Sequence, residues 1–397
     1  MSYELGILVP AHGRSRPTSG QLASQEGEPY VNDMSDSARL CQLLGLRHPI
    51  VQAPMANYVT TPELVAAVSE SGALGSVGAP YYSAEEITKA AQAIRARTAK
   101  PFALNLFIPV PARAPSDAEL EGVRPILNAF RTELGLPTDP EPRASRVAFD
   151  AQFEAVLRAR PSVFSFTMGI LDRDRLRALH AERIVTIGTA TTPDEAVALE
   201  EAGIDVVCAQ GAEAGGHRGT FLVPTEEGLW GVTTLVQQIA RRVRIPVLAA
   251  GGIMDGRGIA AALAAGASGV QLGTAFLTCP EAGTASAHKS ALHSEAARRT
   301  VLTKSFSGRH GRALANRYTE ALAGVALPPF PALLGLTSDV RSTASKLGRS
   351  DLMQMWAGQG APLVRDLPAA RLIATLVEET HAALAEAGSL QAVFAIG

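Results

Sequence analysis

Eight short apolar runs, rich in β-branched residues, punctuate the chain, and most lead through a turn into apolar residues at helical spacing. They read PIVQAPM from Pro49, ALGSVGA from Ala73, FALNLFI from Phe102, VFSFTMG from Val163, RIVTIGT from Arg183, DVVCAQG from Asp205, PVLAAGG from Pro246 and GVQLGTA from Gly269. Continuous rather than alternating apolar runs predict strands covered on both faces, as in a parallel sheet flanked by helices. Their starts lie 20 to 29 residues apart except for two intervals of 61 and 41, which must carry insertions. The helices between them carry start signals. Thr61-Pro62 and Thr192-Pro193 place a capping hydroxyl before a proline at the first helical position. Ser83 with Glu86, and Thr192 with Glu195, have the spacing of a capping box.

Eight such alternations predict an α/β fold, a (β/α)8 TIM barrel, with a smaller cap domain inserted after the eighth strand. An open doubly wound sheet binding a dinucleotide calls for GxGxxG after its first strand. That turn here reads Ala53-Pro54-Met55-Ala56, and GxGxxG occurs nowhere in the chain. We expect residues 1–38 to form a tail without fixed structure. Residues 39–280 with 346–390 are expected to form the barrel, and 281–345 the cap. The segment 109–160 is a further insertion, with a Pro-rich loop and a helix around 120–134.

Composition narrows the function classes. Of 397 residues 47% are hydrophobic and 19% charged, a globular profile, and 36 basic against 38 acidic residues advertise no nucleic-acid or acidic-membrane partner. Three scattered cysteines offer neither a disulfide framework nor a CxxC site, which points to a reducing, cytoplasmic compartment. The first 35 residues lack the continuous apolar stretch of a signal peptide, and Met34 is an alternative start. The uncharged run from Gly258 to Pro280 is broken by Gly266, Ser268, Gly269, Gln271 and Gly273 and reads as a helix followed by a buried strand.

In a (β/α)8 barrel, chemistry sits at the C-terminal ends of the strands. Glu213 is the main carboxylate there, so the paired acids of a glycosidase are missing, and a single histidine makes no metal cluster. Glu213 reads as support for its loop, and Cys208 as a small core residue. Gly251-Gly252 after the seventh run, and Gln271-Leu272-Gly273-Thr274 in the eighth, suit close backbone approach to a phosphate; the same glycines also suit tight turns. The helix opened by Asp255-Gly256-Arg257-Gly258 adds unpaired N–H groups. His217 stands in a glycine-rich loop behind Gly215 and Gly216, where an imidazole can take a proton or hydrogen-bond an anion, or be a plain turn residue. Asn105 and Gln210 are amides on apolar strands, placed either to meet a heterocycle or to tie strands together. His288, His293 and His310 read as surface or cap residues, and Trp356 as packing against the barrel.

Together these motifs resemble the nitronate monooxygenase family, long called 2-nitropropane dioxygenases. The resemblance rests on ProIleValGlnAlaProMetAla (49–56), LeuAsnLeuPhe (104–107), AlaGlnGlyAlaGluAlaGlyGlyHisArgGly (209–219), AlaAlaGlyGlyIle (249–253), GlnLeuGlyThrAlaPhe (271–276), PheSerGlyArg (306–309) and AlaGlyGln (357–359). It implies FMN at the barrel mouth. Ring contacts are implied from Pro54, Met55, Ala56, Asn105 and Gln210, and backbone contact at Gly215. Phosphate contacts are implied at Gly251, Gly252, Gln271, Leu272, Gly273 and Thr274. His217 matches the family's active-site histidine. The implied reaction oxidises an alkyl nitronate, such as propionate 3-nitronate, with O2 to a carbonyl compound and nitrogen oxyanions. A nitronate is already a carbanion equivalent, so no strong base is needed. Phe330 and Tyr318 are candidate pocket residues of the cap. Two other readings fit the same scaffold: an FMN-dependent NAD(P)H reductase acting on enoyl-acyl carrier protein or quinone, and a non-catalytic flavin-binding module. Partners are otherwise small molecules, and the oligomeric state is not readable.

Overall fold

A computed structural model describes residues 35–140 and 148–390. The expected tail therefore lies outside the described residues as far as 34, and the helix Ser35–Leu44 already occupies its last residues.

Six strands lead the fold: β1 (Ile50–Gln52), β2 (Gly75–Gly78), β3 (Phe102–Phe107), β4 (Val163–Thr167), β5 (Val185–Ala190) and β6 (Val206–Gln210). After the two-residue β7 (Gly216–His217) come β8 (Val247–Ala250) and β9 (Gly269–Leu272), then β10 (Thr300–Thr303) and β11 (Gly311–Leu314). Every predicted run contains a strand. Eight of them pair in parallel in the order β1-β9-β8-β6-β5-β4-β3-β2. The ring closes where β1 meets β2, through Gln52 N–H to the Leu74 carbonyl and Leu74 N–H to that of Ile50, each 2.9 Å. The buried Gln52 side chain adds a surrogate rung, accepting from Ser76 N–H at 3.0 Å and donating to its carbonyl at 3.3 Å. The fold is a TIM barrel, as expected.

Alternation along the strands divides the core. Val51, Ala103, Val163, Ile187, Val206 and Leu248 form the inner cluster with Leu40 and Leu44 of the first helix. That helix stoppers the end where strands begin, because Leu40 lies against Gly269, whose added Cβ would sit 2.6 Å from it. Burying each leucine contributes roughly 1.5–3 kcal/mol. The outer faces pack on helices such as Pro62–Glu70, whose cap is the Thr61 hydroxyl accepting from Leu64 N–H at 3.1 Å. Thr192 and Ser83 head capping boxes, as their spacing foretold. The opposite end of the barrel is thereby left for chemistry.

A second hydrophobic cluster lies apart. It joins Val123, Leu127 and Phe130 of the helix Asp117–Glu133 to Phe306, Tyr318, Leu333, Val340, Leu352 and Ala357. The first insertion thus packs with the chain that follows the barrel. Beside it β10, β11 and β7 form an antiparallel sheet. His217 pairs there with Gly311, so the loop after β6 is strapped to chain some ninety residues on.

Candidate active site

At the C-terminal ends of the strands lies a cavity of about 540 Å³. Pro54, Met55, Ala56, Asn105, Gln210, Gly215, His217, Gly251, Gly252, Gln271, Gly273 and Thr274 all line it. Leu272 does not. Strand alternation turns its side chain into the outer barrel core, and its carbonyl accepts from Ala53 N–H at 2.8 Å.

Each element presents its residue for a local reason. The turn after β1 folds tightly, with Asn57 and Tyr58 at φ 58° and 61° and the Thr60 hydroxyl donating to the Met55 carbonyl at 2.9 Å. Gly78 lets that turn lie on β2, because a Cβ there would sit 2.6 Å from the Met55 backbone. Gly251 and Gly252, at φ +126° and +71°, form a cradle against the 211–214 loop. Gly215 lines the cavity and packs closely as well. It lets its loop meet Ala357 and Gly358, 2.6 Å from where a Cβ would stand.

Both amides line the cavity, and both also tie neighbouring chain. Gln210 donates to the His217 carbonyl at 2.9 Å and accepts from Gly219 N–H at 2.8 Å, so it positions the histidine strand. Asn105 donates to Ser165 Oγ at 2.9 Å, tying β3 to β4, while lining the cavity. Among the described residues the Gln271 side chain makes no hydrogen bond, and the buried Thr167 hydroxyl of the cavity wall has no partner.

His217 stands in an aromatic belt, 5.0 Å from Trp356, 5.8 Å from Phe107 and 5.9 Å from Phe330 between ring centres. Its Nε2 meets the Ser307 hydroxyl at 2.8 Å. Burial, with the Arg309 and Arg341 charges behind it, pushes its pKa down to about 3. The imidazole is therefore neutral at ordinary pH, a hydrogen-bonding group and a weak base.

Two arginines, Arg218 buried and Arg309 partly so, hold the loop through carbonyls. Arg218 reaches Gly211 at 2.6 Å and Gln210 and Gly228 at 2.9 Å, and Arg309 reaches Arg218 at 2.9 Å. Glu195 anchors the far side, accepting from Thr191 N–H at 2.6 Å, the Thr191 hydroxyl at 2.8 Å and Leu222 N–H at 3.0 Å. Glu195→Ala takes the acceptor from the buried Thr191 and Thr192 N–H groups and from the part-buried Leu222 N–H, each costing roughly 1–3 kcal/mol, while the Thr191 hydroxyl keeps its bond to Thr220 Oγ1 at 2.9 Å. We expect a total loss of about 3 kcal/mol or more in a urea titration, with Glu195→Gln losing less. Glu213 supports its loop by capping, both oxygens accepting from Val232 N–H at 3.0 Å.

Several placements differ from expectation. The helix start at Gly256 is already satisfied: Asp255 accepts from Gly258 N–H at 2.8 Å and Glu379 from Gly256 N–H at 3.0 Å. Carboxylates thus stand where a phosphate was anticipated. Trp356 lines the cavity, and His288 is a buried wall residue. Tyr318 stacks on Phe306 at 5.0 Å inside the second cluster, away from the cavity. Sequence reasoning passed over Tyr81, Thr167 and Arg341, which also line it. The spacing of 338, 341, 342 and 345 on one helix was the signal available for the last.

A parallel barrel whose mouth gathers glycine turns and the neutral His217 around one cavity defines a TIM-barrel enzyme of small-molecule chemistry. The nitronate monooxygenase family matches residues 37–379. A nitronate monooxygenase of Pseudomonas aeruginosa is 43% identical over 352 residues, covering 86% of this chain and 98% of that protein. A probable nitronate monooxygenase of Staphylococcus aureus is 37% identical, covering 88% and 98%. Among solved structures, a nitroalkane oxidase from Streptomyces ansochromogenes superposes with a TM-score of 0.83 at 40% identity, covering 88% and 99%. FabK from Thermotoga maritima gives 0.66 at 26%, covering 88% and 98%. The chain belongs to the nitronate monooxygenase family and is an oxidoreductase. Among the described residues no helix is long and apolar enough to cross a membrane.

Proposed function

We propose that the protein is an FMN-dependent nitronate monooxygenase. It oxidises alkyl nitronates such as propionate 3-nitronate with O2 to a carbonyl compound and nitrite or nitrate. The observation that carries this reading is His217: a neutral imidazole of low basicity on the wall of a glycine-lined cavity. Such a group suits a substrate that arrives as its anion.

The cavity fits the cofactor. The Gly251–Gly252 cradle, where side chains are excluded, with Gln271, Gly273 and Thr274, would hold the phosphate end. The Pro54–Ala56 turn and Asn105 would border the ring, with Gln210 and Gly215 keeping His217 in place. The unpartnered Thr167 hydroxyl and Gln271 amide offer polar groups to a heterocycle. Bound FMN supplies the electron acceptor that side chains lack. The chain's own work is to seat the nitronate beside His217, hydrogen-bond its oxygens and keep bulk water out behind Trp356 and Phe107. The three free cysteines fit a reducing, cytoplasmic place of action.

The test is direct. The purified protein should be yellow with FMN and consume oxygen with propionate 3-nitronate or ethyl nitronate. Anaerobic NADH or NADPH should bleach it slowly or not at all. Rapid bleaching without oxygen uptake on any nitronate would assign it to the FMN-dependent reductases. Bound FMN with no oxygen uptake on any nitronate and no bleaching by NADH or NADPH, unchanged in His217→Ala, would leave a flavin-binding module.

A further inference from the structure

One wall of the cavity is polar without an assigned task. The helix Ser338–Lys346 turns Ser338, Arg341, Ser342 and Ser345 toward the cavity at helical spacing, while Val340 and Ala344 on its other side enter the second hydrophobic cluster. Arg341 is held rigidly by neutral acceptors alone. Its Nε donates to Thr337 Oγ1 at 3.0 Å, Nη1 to Gln354 Oε1 at 2.8 Å and Nη2 to the Leu334 carbonyl at 2.9 Å. Asp339, the acid on the same helix, is engaged by Arg131 at 2.8 Å. Among the described residues Arg341 has no carboxylate partner. Three bonds leave two of its five N–H groups free.

Asp339 acts on Arg341 only at a distance, and a partly buried guanidinium that bonds directly to no carboxylate is readily completed by an anion. A second observation lies on the same cavity: His288 is 6% exposed, and its Nε2 is buried without a hydrogen-bond partner. The Arg341 charge is felt at both His217 and Tyr81, so it lies within electrostatic reach of the reacting end.

We infer that this wall is a subsite for a carboxylate at the far end of the substrate, with Arg341 as the residue that determines specificity and His288 as a second donor. The inference rests on the nitronate reading. It selects, within that class, nitronates bearing a terminal carboxylate over plain alkyl nitronates. An arginine fork set by three acceptors meets a planar carboxylate with little further ordering.

Two measurements on the FMN-loaded enzyme test it. In steady state, Arg341→Met should raise KM for propionate 3-nitronate about 30-fold or more, with KM for propyl-1-nitronate and both kcat values changing less than about 3-fold. Ser342→Asp leaves the Arg341 anchors in place and offers an internal carboxylate, so it should move KM in the same direction. Arg341→Lys should recover part of the loss. Separately, succinate, in which a carboxylate replaces the nitronate group, should quench Trp356 fluorescence at least about 10-fold more tightly in the wild type than in Arg341→Met. Equal KM changes on both nitronates, or succinate binding indifferent to Arg341 and Ser342, would overturn the subsite while leaving nitronate oxidation standing. Arg341-dependent succinate binding in an enzyme that oxidises no nitronate would overturn the reaction and keep the subsite.

Discussion

His217→Asn is expected to lower kcat/KM for a preformed nitronate by about 10- to 100-fold, the worth of one hydrogen bond to a charged group. FMN content should stay unchanged. Nε2 already meets Ser307, and Nδ1 makes no hydrogen bond among the described residues, so one ring nitrogen is left for a ligand. Asn keeps a polar group at the site but cannot reproduce the ring's reach. With a pKa pushed down to about 3, His217 does not titrate between pH 5 and 8, and kcat/KM for nitronate should show no enzyme ionisation from it there. For the same reason neutral nitroalkanes should turn over far more slowly than their nitronates, since proton abstraction asks for a base this imidazole is not. A kcat/KM limb near pH 6.5 that vanishes in the mutant would refute the neutral, enclosed imidazole.

The same depression has a folding consequence. The folded-state pKa lies below the ordinary 6.5, so as pH falls from about 6.5 toward 3 the unfolded chain takes up a proton that the folded one refuses. Stability is therefore lost across that window, and His288, pushed down to about 4, acts in the same sense. His217→Asn should flatten the acid side of the stability profile.

Gly251→Ala should weaken FMN binding by about 100-fold or more, read as the dissociation constant from flavin fluorescence, with the far-ultraviolet circular dichroism retained. At φ +126° an L side chain is strained, and the new Cβ would stand 3.0 Å from Ala214 N and 3.3 Å from its side chain. Strain of roughly 1–3 kcal/mol is relieved only by turning the peptide, which withdraws the N–H groups that the cradle offers. Gly203→Ala is the control. At φ +95° it closes the helix Pro193–Ala202 with nothing within 4 Å of the added Cβ. It should cost stability without touching FMN. Equal FMN affinity in Gly251→Ala and the wild type would remove the cradle from the cofactor site.

Much of this arrangement is legible in the sequence because its causes are local. A strand buried on both faces must be apolar throughout, so VLAA in β8 declares itself. A cap needs its hydroxyl next to the turn it closes, so Thr192 and Glu195 are recognisable three residues apart. The glycine turns and the motif around His217 carry the family resemblance for the same reason. Other features escaped. Leu272 belongs to a recognised motif, yet strand alternation turns its side chain outward. The start of helix Gly256–Ala264 looked free until Glu379, far along the chain, closed on it. Trp356 reads as packing and His288 as a surface or cap residue because nothing nearby in sequence says which side of the cavity they face.

By itself, then, the amino-acid order determined the barrel, its eight strands and the glycine and histidine turns at its mouth, since backbone preference and burial act over a few residues. Only the tertiary structure decided what surrounds those turns. Ser307 reaches His217 across ninety residues, β11 straps β7, and the helix Ser338–Lys346 brings to the cavity an arginine bonded to no carboxylate. The pKa of the imidazole and the charge facing the substrate are sums over groups distant in sequence and close in space, and such sums exist only once the chain has closed.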